Sequence, residues 1–141
     1  MAYQFKPKSL TALHWINPQY WKFSKEEVAQ FLGVSPEQVR KATCLQHQIS
    51  ISWVSNAGKV CCSFFSYRLF GRWEKAVLDL IAGWQDFKTW HCLLSAMEYE
   101  FFRFDYPTEM ADWIWDNLKD RDAEFIDKQR QQDWPNDSAD A

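Results

Sequence analysis

The sequence feature that most constrains the fold is a pair of helix-start signals eleven residues apart. Ser24 is followed three residues later by Glu27, and Ser35 is followed at the same spacing by Gln38. In such a pair the serine oxygen accepts a backbone N–H bond, while the later side chain reaches back to the serine N–H. Gly33 lies between the two signals and can adopt the positive φ that ends a helix. The stretch therefore predicts two short helices joined by a tight turn, which is a helix-turn-helix.

The spacing of apolar residues is also typical of two helices. Val28, Phe31 and Leu32 form one stripe, and Val39 and Ala42 form another. The outer face of the second predicted helix would then carry Glu37, Gln38, Arg40 and Lys41. A recognition helix presents side chains of this kind to bases in the major groove, whereas the alternative is an ordinary helical hairpin on the surface.

After Gln48 the period changes from that of a helix to that of a strand. Apolar residues alternate with serines over 49–54 and recur at every second position over 60–64. The sequence Asn56-Ala57-Gly58 between these runs has the composition of a turn. A helix-turn-helix followed by a β-hairpin predicts a winged helix.

This stretch resembles the MerR family of transcriptional regulators. The resemblance lies in KEEVAQFLGVSPEQVRK at 25–41 and SYRLFGRWEKAVLDLI at 66–81. It implies that Tyr67 and Arg68 contact DNA phosphates and that Phe70 packs the wing. The resemblance implies a short form without an effector domain, and short MerR-like repressors of that build occur beside CRISPR-associated transposons. The sequence departs from the family because 23 residues precede the first helix and because Arg40-Lys41-Ala42 replaces the family's Arg-Tyr-Tyr run.

Charge is distributed unevenly along the chain. Residues 1–72 hold nine Lys/Arg against three Glu, whereas residues 73–141 hold seven against sixteen Asp/Glu. A basic half joined to an acidic half indicates nucleic-acid binding. The aromatic residues of 1–23 predict extra core for the basic half, and an arm carrying Lys6 and Lys8 to DNA is the alternative.

The acidic half predicts three helices over 73–85, 86–104 and 108–128, because apolar residues recur there at spacings of three and four. By the resemblance, the last helix would form a dimer interface. Its predicted interface residues are Met110, Trp113, Ile114, Leu118 and Phe125. Residues 129–141 are polar and are expected to form a disordered tail.

Other classes of function receive little support from the sequence. Cys44, Cys61, Cys62 and Cys92 lack the spacing of a metal site, so reduced thiols and no metal are expected. The sequence contains no phosphate-binding loop, zinc-protease motif or nucleophile elbow, so neither an enzyme nor a cofactor is expected. No apolar run is long enough to span a membrane and no secretory signal opens the chain, so a cytoplasmic location is expected.

The sequence thus predicts a mainly α-helical protein with an N-terminal winged helix-turn-helix (1–72), a helical dimerisation region (73–128) and a tail (129–141). The expected function is sequence-specific binding of double-stranded DNA by a homodimeric repressor that reads its operator through a 35–45 helix. The residues expected to contact DNA are Ser35, Glu37, Gln38, Arg40, Lys41, Lys59, Tyr67, Arg68 and Arg72. The alternative is a protein-interaction module that docks, or mimics DNA, through its acidic half.

Overall fold

The structure is a computed structural model that describes residues 4–133. The chain divides into two compact units, one formed by Leu10–Trp73 and the other by residues 4–9 and 74–133. We refer to them as the sheet unit and the helical unit, and each is described by itself. None of the helices in the described range is long and apolar enough to cross a membrane.

The first predicted helix is confirmed together with both of its end signals. Helix α1 spans Lys25–Leu32. The Ser24 hydroxyl accepts the Glu27 N–H at 3.1 Å, and a Glu27 carboxylate oxygen accepts the Ser24 N–H at 3.3 Å. Gly33 ends the helix with φ of 72°, in the left-handed region that a residue without Cβ adopts at little cost.

The second predicted helix does not form, so the prediction of a winged helix-turn-helix is wrong. A short 3-10 turn, Pro36–Gln38, leads directly into strand β1, Val39–Cys44. The apolar spacing of Val39 and Ala42 indicated a helix in the sequence because a β-bulge interrupts β1. The bulge lets Val39 and Ala42 both face the sheet interior, at the spacing of three that also marks a helix face.

The predicted β-hairpin is confirmed, but it belongs to a larger sheet. Strands β2, Gln48–Val54, and β3, Val60–Ser66, pair with β1 in the antiparallel order β1-β2-β3. Gly58, with φ of 82°, closes the turn between β2 and β3. Ile49 and Ile51 are fully buried on the inner face, so the alternating serines of β2 lie on the outer face.

Aromatic side chains form much of the core of the sheet unit. Trp21 packs edge-on against Tyr67 with ring centroids 5.6 Å apart, and Phe31 lies 4.3 Å from Phe70. Phe23 also packs on Phe70, at 5.1 Å. The residues before α1 therefore supply core, as predicted. Residues 10–14 form a series of turns, and a 3-10 turn, Pro18–Tyr20, follows them.

The helical unit contains the three helices that the apolar spacing predicted, with different ends. Helix α2 spans Gly71–Gly83, α3 spans Trp90–Arg103 and α4 spans Thr108–Asp133. Residues 129–133, assigned from the sequence to the tail, continue α4. The rest of that predicted tail lies outside the described residues.

Most of the predicted dimer interface lies in the core of the single chain. Met110, Ile114, Leu118 and Phe125 expose at most 7% of their surface, whereas Trp113 exposes 54%. Phe125 packs against Trp90 at 4.9 Å, and the Trp90 ring N–H donates to Asp122 at 2.8 Å. The apolar stripe of α4 therefore packs within one protomer, and of the predicted interface residues only Trp113 is left open to a second copy.

The turn before β1 provides a test of this architecture. Gln38 uses its side-chain carbonyl to accept from the Ser35 N–H and hydroxyl, and its NH₂ donates to Val54 O and Asn56 Oδ1 at 2.9 and 3.0 Å. We expect Gln38→Ala to lower the free energy of unfolding by about 1–3 kcal/mol, because partly buried partners lose their bonds. Urea unfolding followed by circular dichroism measures this. Gln30→Ala, at an exposed position on α1, is the control. Equal losses of unfolding free energy in the two variants would contradict a stabilising role for the Gln38 hydrogen bonds.

The burial of the α4 stripe gives a second prediction. Ile114→Ala is expected to lower the free energy of unfolding by about 2–4 kcal/mol, because it leaves a cavity in the helical unit. Ile126→Ala removes the same atoms from a side chain that is 43% exposed and should cost under about 1 kcal/mol. If Ile114→Ala instead dissociated a dimer without loss of protomer stability, its assignment to the core would be wrong.

Candidate nucleic-acid interface

The bulge in β1 determines where its two cationic residues lie. Val39 pairs with Trp53, but Lys41 pairs with Ser52 and Ala42 with Ile51, so Arg40 is an extra residue without a partner in β2. In a regular strand consecutive side chains alternate between the two faces. The bulge breaks this alternation, and Arg40 and Lys41 are both exposed.

These two cations line a cleft of about 190 Å³ between β1 and the start of α1. Val28 and Val39, which are nearly fully buried, contribute to its lining, and Lys25 lies in it from the helix side. The remaining lining residues are Phe23, Ser24 and Ala42. We call this feature, with Lys25, Arg40 and Lys41 as its cations, the basic cleft.

The charges of the basic cleft are not neutralised by the residues that the structure describes. Lys25, Arg40 and Lys41 make no ion pair with any of them. The sheet unit contains only three acids, and neither Glu26 nor Glu37 lines the cleft. The third acid, Glu27, is held by Arg72 at 2.8 Å. The positive end of the α1 dipole adds to the field at this point.

Arg72, a predicted DNA contact, is held by partners within the sheet unit, although its side chain is 33% exposed. Its guanidinium donates to both carboxylate oxygens of Glu27, at 2.8 and 2.9 Å, and to the main-chain oxygen of Lys22 at 2.8 Å. It also lies 4.5 Å from the centre of the Phe23 ring. Within the sheet unit, Arg72 therefore links α1 and the segment before α1 to the end of that unit.

Tyr67 and Arg68, which the family resemblance placed on phosphates, are both buried. The Tyr67 hydroxyl donates to Leu45 O at 2.6 Å, and its ring stacks on Trp73 with 12° between the planes. Burial also raises the pKa of Tyr67 above its ordinary value. Arg68 is 2% exposed and places its guanidinium carbon 4.6 Å from the centre of the Trp73 ring. Neither side chain is available to a phosphate.

The remaining predicted contacts divide between internal and open positions. Ser35 and Gln38 bond each other in the turn before β1. Glu37 is exposed but would repel phosphate. Lys59 is exposed in the turn between β2 and β3, next to Val60, the first residue of β3, which pairs with Val54. Of the nine predicted residues, Arg40, Lys41 and Lys59 are thus both exposed and cationic.

Sequence reasoning missed two parts of this surface. Lys25 belongs to the cleft because α1 starts beside β1, and the pairing that creates this contact is not local in sequence. The outer face of the sheet was also missed, although its signal was present. The serines that alternate with Ile49 and Ile51 mark the opposite face of β2, on which Phe64 of β3 also lies.

The described residues give little support for a metal site or for a nucleophilic cysteine. The four cysteines are free, and within residues 4–133 no group of three His, Cys, Asp or Glu side chains could hold a metal ion. Cys92 Sγ lies 3.6 Å from His91 Nε2, but burial and then the charge of Asp86 raise the pKa of its thiol. A raised pKa lowers the thiolate fraction that a nucleophile needs. The expectation that the protein is not an enzyme stays a prediction.

Comparison of the chain with protein-family models, curated proteins and solved structures finds no match. The MerR-like resemblance of residues 25–41 and 66–81 therefore stays a prediction, and the second helix that it implies is replaced by β1.

The position of Arg68 gives a further prediction. Arg68→Ala is expected to lower the free energy of unfolding by about 2–4 kcal/mol, because it removes a buried side chain that stacks on Trp73. Differential scanning calorimetry should show a lower melting temperature. Arg40→Ala, at an exposed position, is the matched control and should leave the melting temperature nearly unchanged. An unchanged melting temperature for Arg68→Ala would contradict the structural role.

Proposed function

We propose that the protein is a DNA-binding transcriptional regulator whose sheet unit binds double-stranded DNA. The observation that carries the proposal is the bulge at Arg40, which presents Arg40 and Lys41 side by side across the basic cleft from Lys25. The proposal differs from the winged-helix expectation in its contacts, because a strand and a helix start replace the recognition helix.

The chemistry of the cleft suits a phosphate group. Arg offers a planar fork of N–H donors that matches phosphate oxygens, and Lys offers a compact charge that can follow a moving oxygen. A phosphate in this cleft would meet three cations without displacing an internal ion pair. Contacts of this kind fix the position of a protein on a duplex and carry no sequence information themselves.

The charge of the two units supports the same proposal. The sheet unit holds seven Lys/Arg and three Glu, and two of those cations, Arg68 and Arg72, are used internally. Five exposed cations remain, which are Lys22, Lys25, Arg40, Lys41 and Lys59. The described part of the helical unit holds nine Lys/Arg against fourteen Asp/Glu. A polyanion is therefore attracted to the sheet unit and repelled by the other.

The homodimer and the cytoplasmic location expected from the sequence belong to this proposal. A dimer would use surfaces other than the buried α4 stripe, among which Trp113 and Trp115 are 54% and 44% exposed. Two copies would double the number of phosphates contacted and would favour a site with two-fold symmetry.

A second candidate function rests on α4. Exposed acids recur along that helix at spacings of four and then three, at Asp112, Asp116, Asp120, Glu124 and Asp127. This spacing places them along one side of the helix. Lys119 and Arg121 pair with Asp116 and Glu124 at 3.6 and 2.6 Å, which leaves the other three without an ion pair among the described residues. Such a ridge suits a protein that docks on a basic partner or mimics DNA.

The test of the proposed function is a titration of labelled duplex DNA from upstream of the gene, at several salt concentrations. We expect the double variant Arg40→Ala, Lys41→Ala to weaken binding by about tenfold or more, equivalent to about 1.4 kcal/mol. The slope of log K against log salt should become shallower by about two units for each protomer, because two phosphate contacts are lost.

The matched control is the double variant Lys88→Ala, Arg130→Ala, which removes one exposed Lys and one exposed Arg from the acidic helical unit. It should bind like the wild type. Equal losses of DNA affinity in the two double variants would indicate a general effect of net charge and would contradict DNA binding by the basic cleft. If the wild type binds no duplex but binds a basic protein through α4, the second candidate replaces the first.

A further inference from the structure

The outer face of the sheet has an unusual composition for a surface. Cross-strand pairing arranges it in two rows, Thr43–Ser50–Phe64 and Lys41–Ser52–Cys62. Phe64 lies on β3, a strand at the edge of the sheet, and is 59% exposed. We call these six residues the outer face.

The outer face is also free of acids. No Asp or Glu occurs anywhere between Val39 and Ser66, whereas Arg40, Lys41 and Lys59 lie in this range. Exposed strands usually carry charged side chains that oppose edge-to-edge association. Here hydroxyls, one open aromatic ring and cations at one end of the sheet replace them. This composition suits an anionic partner with hydrogen-bonding groups and methyl groups on its surface.

We propose that the outer face enters the major groove of DNA and reads base edges, while the basic cleft holds the adjacent backbone. This inference rests on the proposed function. Strands lie about 4.8 Å apart, so the three backbones span about 10 Å. The major groove is about 12 Å wide and admits a two-stranded ribbon, so two neighbouring strands of the sheet can enter it together. Sheet residues that face the groove floor then lie directly against the bases.

Each residue type on the face has a partner in the groove. The hydroxyls of Thr43, Ser50 and Ser52 can donate to or accept from base edges, because a hydroxyl does both. Phe64 matches the C5-methyl group of thymine, which is the apolar feature of the major groove. We therefore infer that the preferred duplex contains a thymine whose methyl group packs on Phe64.

The experiment starts with selection of duplexes by the wild-type protein from a pool carrying about fourteen random base pairs, a length of about one and a third helical turns. The enriched duplex and a shuffled duplex are then titrated with each variant. Phe64→Ala should reduce the preference for the enriched duplex about fivefold or more and leave binding of the shuffled duplex unchanged. The control is Phe102→Ala, which removes an 87% exposed ring from the helical unit and should preserve the preference.

Deoxyuridine tests the thymine contact directly, because it lacks only the methyl group. Replacing each thymine of the enriched duplex in turn should identify one position at which the wild type loses affinity and Phe64→Ala does not. Thr43→Val and Ser50→Ala, which remove hydroxyls with little change of shape, should each reduce the preference as well. Circular dichroism confirms that these variants fold.

The outcomes separate this inference from the function on which it rests. If the wild type binds no duplex, the proposed function fails. If it binds duplexes without preference, and the basic cleft variant weakens that binding, the backbone contacts stand and base reading by the outer face is overturned. Tighter binding of single-stranded DNA that depends on Phe64 would also overturn it, because it would show stacking on unpaired bases. A loss of preference with Phe102→Ala equal to that with Phe64→Ala would overturn it as well.

Discussion

The bulged pairing of β1 with β2 is the interaction on which both the fold and the proposed site depend. Without the bulge, alternation from the buried Val39 would turn Lys41 toward the interior and Ala42 toward solvent. An ammonium group buried without a partner costs several kcal/mol, so that register would be strongly disfavoured. One extra residue, Arg40, corrects the register. The same residue places two cations side by side at the cleft, so a single backbone feature both completes the core and creates the surface.

The polar groups that most resembled DNA contacts in the sequence instead hold the sheet unit together. Gln38 ties the turn before β1 to the β2–β3 connection through Val54 and Asn56, and the Tyr67 hydroxyl donates to Leu45 O at the start of the β1–β2 connection. Arg72 binds Glu27 of α1 within the sheet unit. Gln38 and Tyr67 meet hydrogen-bonding needs that partial or full burial creates, whereas the Arg72 ion pair stays partly exposed. The cations without such partners, among them Arg40 and Lys41, are the ones left for a ligand.

Local signals predicted the elements that depend on local chemistry. The cap at Ser24, the left-handed Gly33, the hairpin and three helices with periodic apolar residues follow from short-range rules. The strand at Val39–Cys44 does not, because its apolar spacing fits a helix until the pairing with β2 is known. Among the predicted DNA contacts, Arg40, Lys41 and Lys59 are exposed and stay a prediction, whereas the burial of Arg68 under the Trp73 ring depends on tertiary packing that local signals do not show. Placing Lys25 in the cleft required the packing of α1 beside β1, and placing Phe64 beside Ser50 required the pairing of β2 with β3.

Two populations of aromatic residues divide along the faces of this sheet. The inner face packs Phe65 against Phe31 at 5.1 Å and against Trp53 at 6.1 Å, where each ring buries apolar area. Phe64, the next residue along β3, points the other way and gains little of that free energy while it stays 59% exposed. An open ring on an edge strand also invites association with other chains. Folding alone therefore does not account for an aromatic at position 64. A partner that covers the outer face would bury it, and the neighbouring hydroxyls and cations of that face suit the major groove of DNA.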